Sequence, residues 1–160
     1  MEVNLSFELN GKNVNINTDP MRRLLDVLRE DFGLSGVKEG CSEGECGACS
    51  ILLNDKMVTP CLIPAGAANG QKIMTIEGVS STEKGQVIVQ AFADGGAVQC
   101  GYCIPGMVIA AYYLLSNNPD PTEDEIRLGI SGNICRCTGY DLIVESIKLA
   151  AERGEKLWKK

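Results

Sequence analysis

The chain has 160 residues, enough for one ordinary domain or two small ones, and its 44% hydrophobic content is globular rather than disordered. Fifteen Lys and Arg against 21 Asp and Glu leave a net charge of −6, and no basic run resembles a nucleic-acid footprint, so neither DNA nor RNA is an expected partner. Histidine is absent, which removes His-ligated zinc, Rieske centres, His-ligated haem and any Ser–His or Cys–His catalysis.

In chain order, Val3, Leu5, Phe7 and Leu9 alternate with polar residues, the period of a half-buried strand. Asn10-Gly11 predicts a tight hairpin, with Val14 and Ile16 on the return strand. Asp19-Pro20 predicts a helix start carrying the Leu24, Leu25 and Leu28 stripe, stopped by Gly33. Residues 50–54 and 72–76 read as further short strands. From there the texture turns helical. One helix is predicted over about residues 84–94, ended by Gly95-Gly96. A second follows Pro105 and breaks at Asn117-Asn118-Pro119-Asp120-Pro121. Thr122 and Glu125 form a capping box for a third. A fourth runs from about Tyr140 to Glu152, with Leu142, Ile143, Ile147 and Leu149 inward and Gly154 as its stop. The Gly/Ser/Thr-rich stretch GVSSTEKG, near residues 78–85, places the domain boundary, giving domains over 1–78 and 79–160. The terminal Trp158-Lys159-Lys160 reads as a solvated tail, its tryptophan covering an apolar patch on this chain or on a partner.

The N-terminus shows no leader pattern and no apolar run reaches membrane-spanning length, so a cytoplasmic protein with no membrane contact is expected. That compartment keeps thiols reduced, and eight cysteines in it point to metal rather than disulfides. Cys41, Cys46 and Cys49 stand in a C-x4-C-x2-C spacing, with Cys61 further on; this is the plant-type [2Fe–2S] ferredoxin pattern. A cluster held by four thiolates is an anion and needs backbone N–H donors around it. Gly40, Gly44 and Gly47 allow a loop with positive φ and close approach to curl over such an anion. Cys100 and Cys103, then Cys135 and Cys137, supply a second set of four. By spacing alone iron–sulfur, zinc and redox thiols all remain open for it.

The strings EGCSEGECGAC (39–49), VQCGYCIPGM (98–107) and GNICRCTGY (132–140) resemble the small iron–sulfur subunit of the molybdenum hydroxylases, the family of xanthine dehydrogenase, aldehyde oxidoreductase and nicotinate dehydrogenase. The resemblance covers about residues 2–152. It implies an α+β chain in which an N-terminal β-grasp, plant-type ferredoxin-like domain precedes an all-α four-helix [2Fe–2S]-binding domain. It further implies two [2Fe–2S] clusters, with the Cys100, Cys103, Cys135 and Cys137 site nearest a molybdopterin, in its cytosine dinucleotide form, on a large partner subunit. The Cys41, Cys46, Cys49 and Cys61 site would lie nearer FAD on another subunit. Gln99 would hydrogen-bond the pterin through its amide, and Cys137 would be both ligand and pterin contact. One departure is Ile104, where the family commonly has threonine; a hydroxyl near the cluster is thereby lost.

The other residues near these motifs carry plainer readings. Arg136 either offsets cluster charge or pairs at the surface, and Tyr102 and Tyr140 pack beside the cluster loops. Met107 fills a helix core. With no P-loop and no dinucleotide fingerprint, the chain reads as an electron relay in an oxidoreductase whose substrate, a purine, other N-heterocycle or aldehyde, binds elsewhere. The rival readings are a free-standing two-cluster ferredoxin-type carrier and a zinc-stabilised interaction module.

Overall fold

The computed structural model describes residues 1–159. Alternating apolar residues form β1 (Val3–Leu9) and β2 (Lys12–Thr18), paired antiparallel with Leu9 opposite Lys12. Asn10 and Gly11 turn between them at φ 50° and 80°, the doubly positive geometry a two-residue hairpin favours. Three short strands complete the sheet: β3 (Ile51–Leu53), β4 (Lys56–Val58) and β5 (Lys72–Met74). The order is β2-β1-β5-β3-β4, with β1 and β5 parallel and the other pairs antiparallel.

A helical segment crosses one face of this sheet: α1 (Leu24–Asp26) runs straight into a π-helical turn, Val27–Asp31. Leu24, Leu25, Val27 and Leu28 are fully buried there against Leu5, Phe7, Ile51 and Ile73. Each large side chain so buried contributes on the order of 1.5–3 kcal/mol. Gly33, at φ 67°, ends the segment as the sequence predicts. The helix does not begin at Pro20, however. The Pro20 and Arg22 carbonyls accept from Gly66 and Ala65, and Asp19 closes a turn on the Met21 N–H, so tertiary pairing claims the residues that a first helical turn needs. Strand β4 is also absent from the sequence reading. Asn54 and Asp55 both adopt positive φ and build a second tight hairpin.

The second half is helical: α2 (Ile76–Ser80), α3 (Glu83–Asp94), α4 (Ile104–Asn117), α5 (Glu123–Gly129), α6 (Asp141–Arg153) and α7 (Glu155–Trp158). Helices α3 to α6 are the four expected, and the Thr122–Glu125 capping box is present. The stretch expected to hold the domain boundary carries the end of α2 and the Thr82 cap of α3, whose hydroxyl accepts from the Gly85 N–H. Ile143, Val144, Ile147 and Ala150 form the inner face of α6; Ile143 and Ile147 are inward as predicted and Leu149 packs partly buried against the same core, while Leu142, at 42% exposure, faces out. Trp158 covers an apolar patch of this chain, one of the two placements expected of it, and is not part of a solvated tail. It is 3% exposed, meets Tyr112 edge-on at 6.4 Å and donates its indole N–H to the Ala150 carbonyl. Lys159 is exposed, and Lys160 lies outside the described residues. Met107 is buried in the helical core, as expected. That core also takes in Leu52 of β3, with Met57 and Met74 packed against it, so the two halves share apolar contacts across their junction. Among the described residues, no helix is long and apolar enough to cross a membrane.

Candidate metal centres

All eight cysteines are free thiols, and they gather into two groups of four. The first is carried by an irregular loop, residues 38–50, and by the short 3-10 turn Pro60–Leu62. The Cys41 sulfur accepts from the Glu43 and Cys46 N–H groups, both at 3.4 Å. These donors, Glu43 first, hold its thiol down to about 7. Cys49 and Cys61 are buried and in contact, and burial pushes Cys49 up to about 12. Gly44 and Gly47 have the predicted positive φ. Gly40 does not; it is small for a different reason, since a Cβ there would lie 2.7 Å from the Cys46 sulfur.

The second group joins the loop before α4 to the loop between α5 and α6. The Cys100 and Cys137 sulfurs are 3.6 Å apart, and both residues are exposed. Cys103 and Cys135 form the other contact and lie deeper. Burial pushes the Cys103 thiol up to about 12. Cys135 is buried too, yet the Thr138 hydroxyl and the Thr138 and Cys137 N–H groups more than offset that desolvation and hold it below its ordinary value. A cavity of about 200 Å³ opens among Cys46, Cys100, Cys103, Cys135 and Cys137.

This two-by-two pairing bears on which metal fits. Four sulfurs on one zinc ion, each at about 2.3 Å, would all sit about 3.8 Å from one another. Among the described residues, no three Cys, His, Asp or Glu side chains converge in that way. Thiols gathered as two close pairs would suit a two-iron cluster, and the N–H donors on Cys41 would suit its negative charge. The all-thiol donor set and the glycine cradle therefore fit [2Fe–2S] better than zinc.

The halves meet at these same loops. The Cys46 carbonyl accepts from the Ile134 N–H at 2.9 Å, directly beside Cys135. The Gly47 carbonyl gathers three donors: the Ser50 N–H at 3.1 Å, the Ser50 hydroxyl at 2.7 Å and the Asn133 amide at 2.9 Å. Across the same seam the Tyr102 hydroxyl donates to the Glu39 carbonyl. Gln99 is exposed beside Cys100, and Arg136 is exposed with no ion pair among the described residues. Tyr140 packs at the second loop, its hydroxyl accepting from the Cys135 N–H. The sequence reading misses Asn133, Ile134 and Thr138, although all three lie inside the string GNICRCTGY. Their roles come from contacts made across the fold or around a turn, which spacing does not express. Val98, Tyr102 and Ile134, at 46%, 48% and 55% exposure, make an apolar rim around the exposed thiols.

Comparison with known proteins agrees with this geometry. Residues 7–73 match a 2Fe-2S iron-sulfur cluster binding domain, and residues 75–148 match a [2Fe-2S] binding domain. The nicotinate dehydrogenase small FeS subunit of Eubacterium barkeri is 52% identical over 152 residues, covering 95% of this chain and 97% of that one. Quinoline 2-oxidoreductase from Pseudomonas putida 86 contains a chain of the same fold, with a TM-score of 0.91, 40% identity and 97% of each chain covered. The aldehyde oxidoreductase of Desulfovibrio desulfuricans matches 95% of this chain with a TM-score of 0.88 and 35% identity, but within only 17% of its own longer chain.

Proposed function

The chain belongs to the small iron–sulfur subunits of the molybdenum hydroxylases, an oxidoreductase family, and from that premise we propose that it is a two-cluster electron relay between a molybdopterin subunit and an FAD subunit. Cys100, Cys103, Cys135 and Cys137 hold the cluster on the molybdopterin side; Cys41, Cys46, Cys49 and Cys61 hold the one on the flavin side. When bound, each [2Fe–2S] cluster supplies a site that accepts and returns one electron. The observation that carries the reading is the Cys46 carbonyl bonded to the Ile134 N–H, which leaves the two thiol groups one hydrogen bond apart through the chain itself.

Gln99 and Cys137 are both exposed, as contacts to a pterin on a large partner would require. The apolar rim of Val98, Tyr102 and Ile134 supports a covering partner, since a free carrier would leave it in water. Two domains, the second beginning with α2 rather than within it, give each cluster its own packing unit. The partner's substrate is an aromatic N-heterocycle, hydroxylated with oxygen from water. The names nicotinate dehydrogenase and quinoline 2-oxidoreductase support this class over aldehydes. The pterin is taken as the cytosine dinucleotide form, and the assembly as cytoplasmic.

Anaerobic purification from the native host, with metal analysis and EPR of the reduced sample, tests the reading. A molybdenum-containing large chain and a flavin chain should come with this one, alongside two distinct [2Fe–2S] signals. A coloured protein that emerges alone supports the free carrier instead, and a colourless one containing zinc ends the iron reading.

A further inference from the structure

We infer that Thr138 sets the electron affinity of the second cysteine site, by donating its hydroxyl hydrogen bond to the Cys135 sulfur. The inference rests on the proposal above that Cys135 is an iron-bound thiolate. Thr138 Oγ1 lies 3.1 Å from Cys135 Sγ. The same oxygen accepts the Tyr140 N–H at 3.2 Å. With that N–H on its lone pair, the hydroxyl directs its proton to the sulfur rather than towards water. The Tyr140 hydroxyl then accepts from the Cys135 N–H at 3.0 Å, closing a ring of bonds over Cys135, Thr138 and Tyr140. Tyr140 holds φ at 73°, a costly conformation for an aromatic residue that persists only where its surroundings over-determine it. This ring of bonds does so.

The consequence for redox chemistry follows from charge. A cluster held there would take one electron, from the molybdopterin partner of the proposal above or from the reductant of the titration, with no bond to sulfur broken and the Thr138 proton kept on its oxygen. The reduced form carries one more negative charge, part of it on the thiolates. A donor aimed at sulfur therefore stabilises the reduced form more than the oxidised one and raises the potential. Cys135 is buried, so water does not supply the same donor. Ile104, next to Cys103, has no hydroxyl to offer, which leaves Thr138 as the hydroxyl bonded to this group among the described residues.

The test is an EPR-monitored potentiometric titration of the full chain with its clusters, for the unaltered protein, Thr138→Val and Thr138→Ser. Thr138→Val keeps the shape and removes the donor. It should lower the midpoint of one signal by about tenfold in the reduced-to-oxidised ratio, about 59 mV for a one-electron couple, and leave the other signal in place. Thr138→Ser should titrate like the unaltered protein. An unmoved midpoint in Thr138→Val, an equal drop in Thr138→Ser, or a shift of both signals overturns the tuning role. Loss of the second cluster from Thr138→Val also overturns it, because it assigns Thr138 to assembly. Absence of a second [2Fe–2S] signal in the unaltered protein sinks the ligand reading itself, and this inference with it.

Discussion

Gly106 shows how tightly single residues are committed at the junction of the two halves. It lies in the first turn of α4, where alanine ordinarily stabilises a helix by about 1 kcal/mol over glycine. Here a Cβ would overlap the Gly47 carbonyl oxygen and come within 3.3 Å of Ala48 Cα. The Gly47 carbonyl is in turn fixed by Ser50 and Asn133, so it has little room to retreat. Gly47 itself sits at φ 66° and is equally crowded, its own missing Cβ facing the Gly132 carbonyl. Gly106→Ala is therefore expected to reverse the helix rule and destabilise the protein by about 1–3 kcal/mol, the usual cost of overpacking. Chemical denaturation of the iron-loaded chain measures this. A gain in stability would mean that α4 slides away from the Cys46–Gly47 loop without penalty.

Among the elements, α5 depends most visibly on a local device. The Thr122 hydroxyl accepts from the Glu125 N–H at 3.3 Å, and the Glu125 carboxylate accepts from the Thr122 N–H at 2.7 Å. Thr122→Ala should cost about 1 kcal/mol in denaturation experiments. The pH dependence has a definite sign. The Thr122 N–H, and then its hydroxyl, hold the Glu125 carboxyl below the ordinary carboxylate value. The stabilisation is thus fully present above the ordinary value and is lost as pH falls through the depressed one. Glu125→Gln should flatten that part of the acid limb, and an unchanged limb would show the box open in solution. This device was legible in the sequence because Thr122 and Glu125 are three residues apart and cap each other. The β1–β2 hairpin and the α3, α4 and α6 spans were legible for the same reason: local periodicity and local turn chemistry decide them. The start of α1 was not, because distant residues 65 and 66 capture the carbonyls at 20 and 22. Trp158 was legible as a cover for an apolar patch, but which patch was not, because its partner Tyr112 lies in α4, three helices earlier in the chain. At the candidate site the cysteine groups were written in the spacing, whereas the seam from Cys46 to Ile134 exists only after folding.

At the scale of the whole molecule, the question is whether two sites so closely joined still assemble separately. Each group of four thiols comes from one half of the sequence, and each half has a buried core of its own. The seam adds a few hydrogen bonds and the contacts of Leu52, Met57 and Met74 with the helical core. Bonds of this kind contribute about 1 kcal/mol each, small beside what either core supplies. Assembly of one cluster should therefore not require the other. Cys135→Ser is expected to lose half of the iron and one EPR signal while keeping the second, with the helical content of far-UV circular dichroism largely unchanged. Cys61→Ser should remove the opposite signal. If either variant loses both signals, the Cys46–Ile134 and Gly47–Asn133 contacts couple the sites more strongly than their number suggests, and the two halves then fold as one unit.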